Sequence, residues 1–119
     1  MQHYSKLQVW QRGHKLVLAL YRATQAFPAA EKFGLISQLR RAVLSVPTNI
    51  AEGSRRVTPR DYVRFLNIAE GSLSETEYLV QVSRDLGYLP ADPATAHLRE
   101  ITELSKMLLV LRKTVQRDV

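Results

Sequence analysis

Apolar residues in this chain recur at intervals of three and four and hardly ever in sustained alternation, so its building block is the amphipathic helix and not the half-buried strand. Val9, Gly13, Leu16, Leu20, Ala23 and Phe27 make one stripe, and Pro28 stops it. Ile36, Leu39, Val43, Val46 and Ile50 make a second, which closes around Gly53 to Arg56 with cations at its last turn. A third opens on Thr58, Pro59 and Asp61, which read as an N-cap, a first-turn proline and an acidic capping partner. Its stripe is Phe65, Ala69, Ser72, Thr76, Leu79, Ser83 and Leu86, and the small residues at its middle predict a close approach to a neighbour. Asp92 and Pro93 open a fourth, with Leu98, Ile101, Leu104, Leu108, Leu111 and Val115 on one face.

The expected helices cover residues 9–27, 34–55, 59–87 and 93–117. Short connections make successive helices antiparallel neighbours. The fold class expected is therefore all-α, an up-down-up-down antiparallel four-helix bundle, with residues 1–8 as an N-terminal lead-in and 9–117 as a single domain. Pro47 lies inside the second stripe, where it deletes a backbone donor and crowds the preceding turn. A kink is expected there, with Asn49 or Ser45 serving the carbonyl that loses its partner, the alternative being two shorter helices meeting at Val46 and Pro47. Gly71 stands in mid-helix and calls for a packing reason.

Catalytic chemistry finds little purchase. With no cysteine there is no disulfide framework, thiolate metal site or cysteine nucleophile. A di-iron bundle needs carboxylates from four helices and a Glu-x-x-His pair on two of them; the nearest match, His97 and Glu100, is reversed and single. His3 and His14 have no second histidine at ligand spacing. Glu70, Glu75 and Glu77 read as a solvated face, and Ser72 and Ser74 lack a nucleophile elbow. The expectation is a non-enzyme with no metal, cofactor or catalytic residue. The longest apolar runs, Leu16 to Tyr21 and Met107 to Leu111, fall far short of the roughly 20 residues that span a bilayer. The opening MQHYSKLQVWQRGHK has no apolar stretch with a small-residue cleavage site, so a cytoplasmic location away from membranes is expected.

The positive charge is better organised. Seventeen Lys plus Arg against eleven Asp plus Glu leave a formal +6, which favours anionic partners. Arg40, Arg41, Arg55, Arg56, Arg60 and Arg64, against only Glu52 and Asp61, concentrate much of it in one stretch. Arg55 and Arg56 suit a helix C-terminus, but Arg60 and Arg64 face the positive end of the third helix and repel each other at i and i+4. A bound phosphate there would relieve both conflicts. These six arginines are the expected contacts to RNA or DNA backbone; the competing expectation is an interaction scaffold that docks an acidic protein. Arg112, Lys113 and Arg117 read as dipole partners and tail charge. Two stretches, Leu16 to Leu20 and Met107 to Leu111, are apolar all round, so Val17, Leu18, Leu109 and Val110 are expected to merge into one oligomer interface at mid-height.

Along QLRRAVLSVPTNIAEGSRR and DYVRFLNIAEGSLSETEYLV, with the opening KLQVWQRGHKL, the turn FPAAEKFGL and the later LGYL, the chain resembles the small four-helix proteins encoded in intervening sequences of bacterial 23S ribosomal RNA genes. The resemblance implies a four-helix bundle assembling as a homopentamer. It also implies similarity to the accessory bundle protein of diversity-generating retroelements, which binds nucleic acid and a reverse transcriptase. Partners expected on that ground are further copies of the chain, RNA or DNA, and a reverse transcriptase-like or other protein. No catalytic residue carries over; Arg40, Arg41, Asn49, Glu52 and Gly53 match the family pattern.

Overall fold

A computed structural model describes residues 3–119. It contains α1 (Gln8–Thr24), α2 (Leu35–Ser54), α3 (Pro59–Asp85) and α4 (Ala91–Gln116), with short 3₁₀ turns at Tyr4–Lys6 and Ala29–Glu31. The four helices form the all-α bundle that the periodicity predicts, 45 × 25 × 20 Å in extent. Each packs on its chain neighbours and α1 closes the ring against α4; the α2–α3 interface is the most extensive and the α1–α4 interface the least. Residues 3–8 of the expected lead-in include the Tyr4–Lys6 turn, while residues 1 and 2 lie outside the described residues.

The core is aliphatic. Leu20, Leu39, Val43, Val46, Ile50, Leu66, Val80, Leu104 and Leu108 are completely enclosed. Small side chains set the α2–α3 distance: Ala69 is fully buried, and Ser45 Oγ meets Ser72 Oγ across the interface at 2.8 Å. A Cβ on Gly53 would lie 2.7 Å from Phe65 Cβ and 3.0 Å from the Tyr62 ring, so only glycine permits this approach. The stripe on α3 is wider than its heptad reading, because Leu66, Leu73 and Val80 are buried and Leu86 is exposed.

Helix ends depart from the sequence reading for identifiable reasons. α1 stops at Thr24, before Phe27, where Arg40 of α2 takes a carbonyl of its last turn: Arg40 Nη2 donates to Tyr21 O at 3.1 Å and Nε to Thr24 Oγ1 at 2.8 Å. α3 ends in a Schellman turn with Gly87 at φ 80°, where Gly87 N–H donates to Arg84 O and Tyr88 N–H to Ser83 O. α4 starts at Ala91, two residues early, with Pro90 as its N-cap and Pro93 within the first turn, where a missing N–H removes nothing the helix uses. The N-terminus of α2 is served by Glu31, whose Oε1 accepts from Leu35 N–H at 3.3 Å.

α2 runs as one helix through Pro47, against the two-helix alternative. The Asn49 amide donates to Ser45 O at 2.8 Å and to Ser45 Oγ at 2.9 Å, and Thr48 Oγ1 donates to Leu44 O at 2.7 Å. These polar side chains brace the turn around the proline, and neither Asn49 nor Ser45 serves the Val43 carbonyl whose donor proline removes. Gly71 needed no packing reason: it is exposed, and a Cβ there would meet nothing within 4 Å. Gly71→Ala should therefore stabilise the chain by about 1 kcal/mol through helix propensity and a less flexible unfolded state. A urea midpoint that falls would show that this stretch of α3 is not open.

Candidate functional site

The turn Arg55–Thr58 joins α2 to α3 and gathers charge as it does so. Arg55 is the C-cap of α2, and Thr58 caps α3 by accepting from Asp61 N–H at 3.2 Å. Arg55 and Arg56 therefore leave the end of α2 beside Arg60 and Arg64 on the first two turns of α3, and all four are exposed. The Phe65 ring carries two of them, with Arg56 Cζ 4.5 Å and Arg64 Cζ 5.0 Å from its centroid. Each contact at such a site contributes roughly 0.5–1 kcal/mol and holds a guanidinium in place without neutralising it. Gly53 is what brings the ring here, through its close approach to Phe65.

Little negative charge answers this corner. Asp61 Oδ1 lies 3.4 Å from Arg64 Nη2, but both side chains are about half exposed or more, and such pairs contribute at most about 1 kcal/mol. Arg60 makes no ion pair among the described residues. Arg55 fastens the N-terminal turn, with Nη2 2.7 Å from His3 Nε2 and Cζ 5.7 Å from the Tyr4 ring centroid.

Arg40 and Arg41 do not join these four. Thirteen helical steps separate Arg41 from Ser54 at the end of α2, about 20 Å along the helix. Arg40 is half-buried, committed to the α1 terminus and stacked 4.8 Å over Tyr21, whereas Arg41 is exposed. The expected single cluster of six is thus a corner of four and a separate pair, because most of the length of α2 lies between them.

The expected apolar interface is rearranged too. Val17 is in the core, not on the surface, while Leu18 is 40%, Leu109 37% and Val110 65% exposed. Leu18 and Val110 do not share a height. Arg12 on α1 reaches both Glu100, at 2.5 Å, and Met107 Sδ on α4, and Leu7 and Val9 share a groove with Met107, Val110 and Leu111. Leu18 therefore lies about 14 Å further along the bundle, nine residues past Val9.

Other titratable residues turn out to be braces. Glu100 pairs with Arg12, so its carboxylate is already occupied, and burial pushes the His97 imidazole below its ordinary pKa. Arg112 is not tail charge, since its Nε donates to Glu70 of α3 and its Nη1 to Gln116. Tyr88 donates to Glu31 Oε2 at 3.1 Å, which raises the Tyr88 pKa. No group of three His, Asp or Glu side chains able to hold a metal occurs among the described residues, and none of their helices is long and apolar enough to cross a membrane.

Phe65 was missed as a site residue, because its period on α3 marks it as core. The signal was present in its neighbours: an aromatic directly after Arg64, with Arg56 in the turn that leads into the same helix. Tyr4, Trp10 and His14 were missed as well; these rings pile edge to face and then face to face at centroid distances of 5.0 and 5.3 Å.

A family model described as 23S rRNA-intervening sequence protein matches residues 5–110. Among solved structures, a protein of unknown function from the S23 ribosomal protein family of Bacteroides thetaiotaomicron is similar, with a TM-score of 0.79 and 22% identity, covering 88% of this chain and 98% of that one. At that identity the likeness concerns the fold. No curated protein matches the chain.

Proposed function

Taking as premise that the chain belongs to the 23S rRNA-intervening sequence protein family, we propose that it is a non-enzymatic, cytoplasmic, homo-oligomeric bundle that binds the backbone of RNA or DNA through its α2–α3 corner. One observation carries this reading: Arg55, Arg56, Arg60 and Arg64 are exposed together, two of them held on one ring, with only Asp61 and Glu52 as acids beside them. Guanidinium groups gathered at a helix start suit phosphate, and contacts of this kind carry no base information. Leu109 and Val110 are exposed aliphatics that suit assembly, the pentamer being the state the family resemblance implies, and a ring of copies would multiply the corner's charge. A reverse transcriptase-like protein is a further partner suggested by the same resemblance.

Fluorescence polarisation with labelled oligonucleotides at several salt concentrations tests the reading. Four phosphate contacts per protomer should give a log affinity that falls with log salt at a slope of about −3 to −4, with little dependence on sequence. Micromolar protein that gives no salt-sensitive complex would reject it in favour of a scaffold docking an acidic protein. Light scattering that returns a 13.6 kDa particle would remove the assembly part.

A further inference from the structure

One face of the bundle carries a groove that the arginine corner does not account for. On α2, Ser37, Arg41, Leu44, Thr48, Glu52 and Arg55 fall at a helical repeat of three and four and make a single stripe. Its opposite wall is aromatic. Lowest, Tyr4 faces Ala51, Glu52, Arg55 and Arg56; in the middle, Tyr4, Trp10 and His14 face Leu44, Pro47 and Glu52; highest, Tyr21 faces Ser37, Arg41 and Leu44. The three stretches share Tyr4 and Glu52 at one junction and Leu44 at the other, so they form one track of about 27 Å from Ser37 to Arg55.

The chemistry of the track is ordered. Cations stand at its two ends, Arg41 above and Arg55 and Arg56 below, so the two arginine groups that α2 holds apart are connected by it. Between them Trp10 and His14 are already stacked, with 5° between ring planes, and the exposed His14 ring extends the pile outward. Leu44, 46% exposed, offers an apolar floor beside it. Glu52 in this stretch repels a phosphate yet can accept from the amino group of a base. A ligand with anionic groups outside and planar, amino-bearing rings inside fits each of these demands.

We infer that the α1–α2 groove takes unpaired nucleotides, with bases stacked against the Trp10–His14 pile and phosphates running to Arg41 and to the corner at Arg55 and Arg56. The inference rests on the proposed backbone binding and narrows its substrate class to single-stranded nucleic acid. A duplex hides its base faces and can engage the corner alone, whereas a single strand can engage both.

The chain has one tryptophan, so the emission of Trp10 reports on this groove alone. The full-length protein is titrated with a single-stranded oligonucleotide of about 12 nucleotides and with the same sequence as a duplex, following both polarisation and Trp10 emission. The single strand should bind at least about tenfold more tightly and quench Trp10, while the duplex leaves the emission unchanged. His14→Ala, at an exposed position, should weaken single-strand binding about tenfold and spare duplex binding, and His14→Phe, which keeps a ring there, should restore it. Equal binding of both forms with Trp10 undisturbed overturns the inference and leaves the corner reading intact. Failure of both forms to bind at low salt overturns the two together.

Discussion

Exchanging Arg60 and Arg64 for glutamate is expected to weaken binding to a nucleic-acid backbone about a hundredfold at 0.1 M salt, with the fold left intact. Each lost phosphate contact lowers the salt slope by about one, so the pair should take it from between −3 and −4 to between −1 and −2. If affinities of parent and variant converge near 1 M salt, where the electrostatic part vanishes, a slope change of two is a hundredfold at a tenth of that concentration. Stability should move little and in a different direction. Arg60 stands against the positive end of α3, and an acidic residue in a first helical turn gains roughly 0.3–1 kcal/mol. The lost Arg64–Asp61 pair and the lost cover on Phe65 offset this, so the urea midpoint should stay within about 1 kcal/mol of the parent. Unchanged affinity in a folded variant would remove the corner as the site; a large loss of stability would mean that these arginines hold the turn together.

Leu66→Ala should destabilise the bundle by about 3–5 kcal/mol. Leu66 is completely enclosed on α3, the helix that packs on both α2 and α4, so the void it leaves opens inside the core and not at the surface. For a domain whose whole stability is about 5–15 kcal/mol, that is about a fifth of the total or more. Urea denaturation should show a lower midpoint with the slope unchanged, measured at fixed protein concentration because assembly would itself raise the midpoint. Val110→Ala, at a side chain 65% exposed, should change the protomer by no more than about 0.5 kcal/mol. A Leu66→Ala loss below about 1 kcal/mol would contradict the tight packing seen around α3.

Much of the architecture was legible before any coordinates. The stripes on α1, α2 and α4 name most of the core, and Thr58, Pro59 and Asp61 mark the start of α3 as it stands. The errors have particular causes. Phe27 keeps the period of α1 and is buried, but it is buried after the helix has ended, where Arg40 of another helix takes a carbonyl of its last turn. Gly71 and Gly53 look alike in the sequence as glycines of helical segments, yet one faces open space and at the other a Cβ would lie 2.7 Å from Phe65 Cβ. Of the candidate site, the arginines were legible as a run of charge. Their division into a corner and a distant pair was not, nor was the aromatic wall that lies between the two groups.

What the chain order alone determined was the number of helices, the start of α3 and their up-and-down course, since hydrogen bonds four residues apart, capping and proline stops are all decided within one segment. The tertiary structure decided which side chains meet: that Arg56 and Arg64 share the Phe65 ring, that Val17 turns inward, that Arg40 closes α1, and that Trp10 and His14 face the α2 stripe. Those contacts depend on the rotation and axial register of one helix against another. Register is settled by packing over the whole interface, to which every residue contributes a little and no local pattern contributes enough.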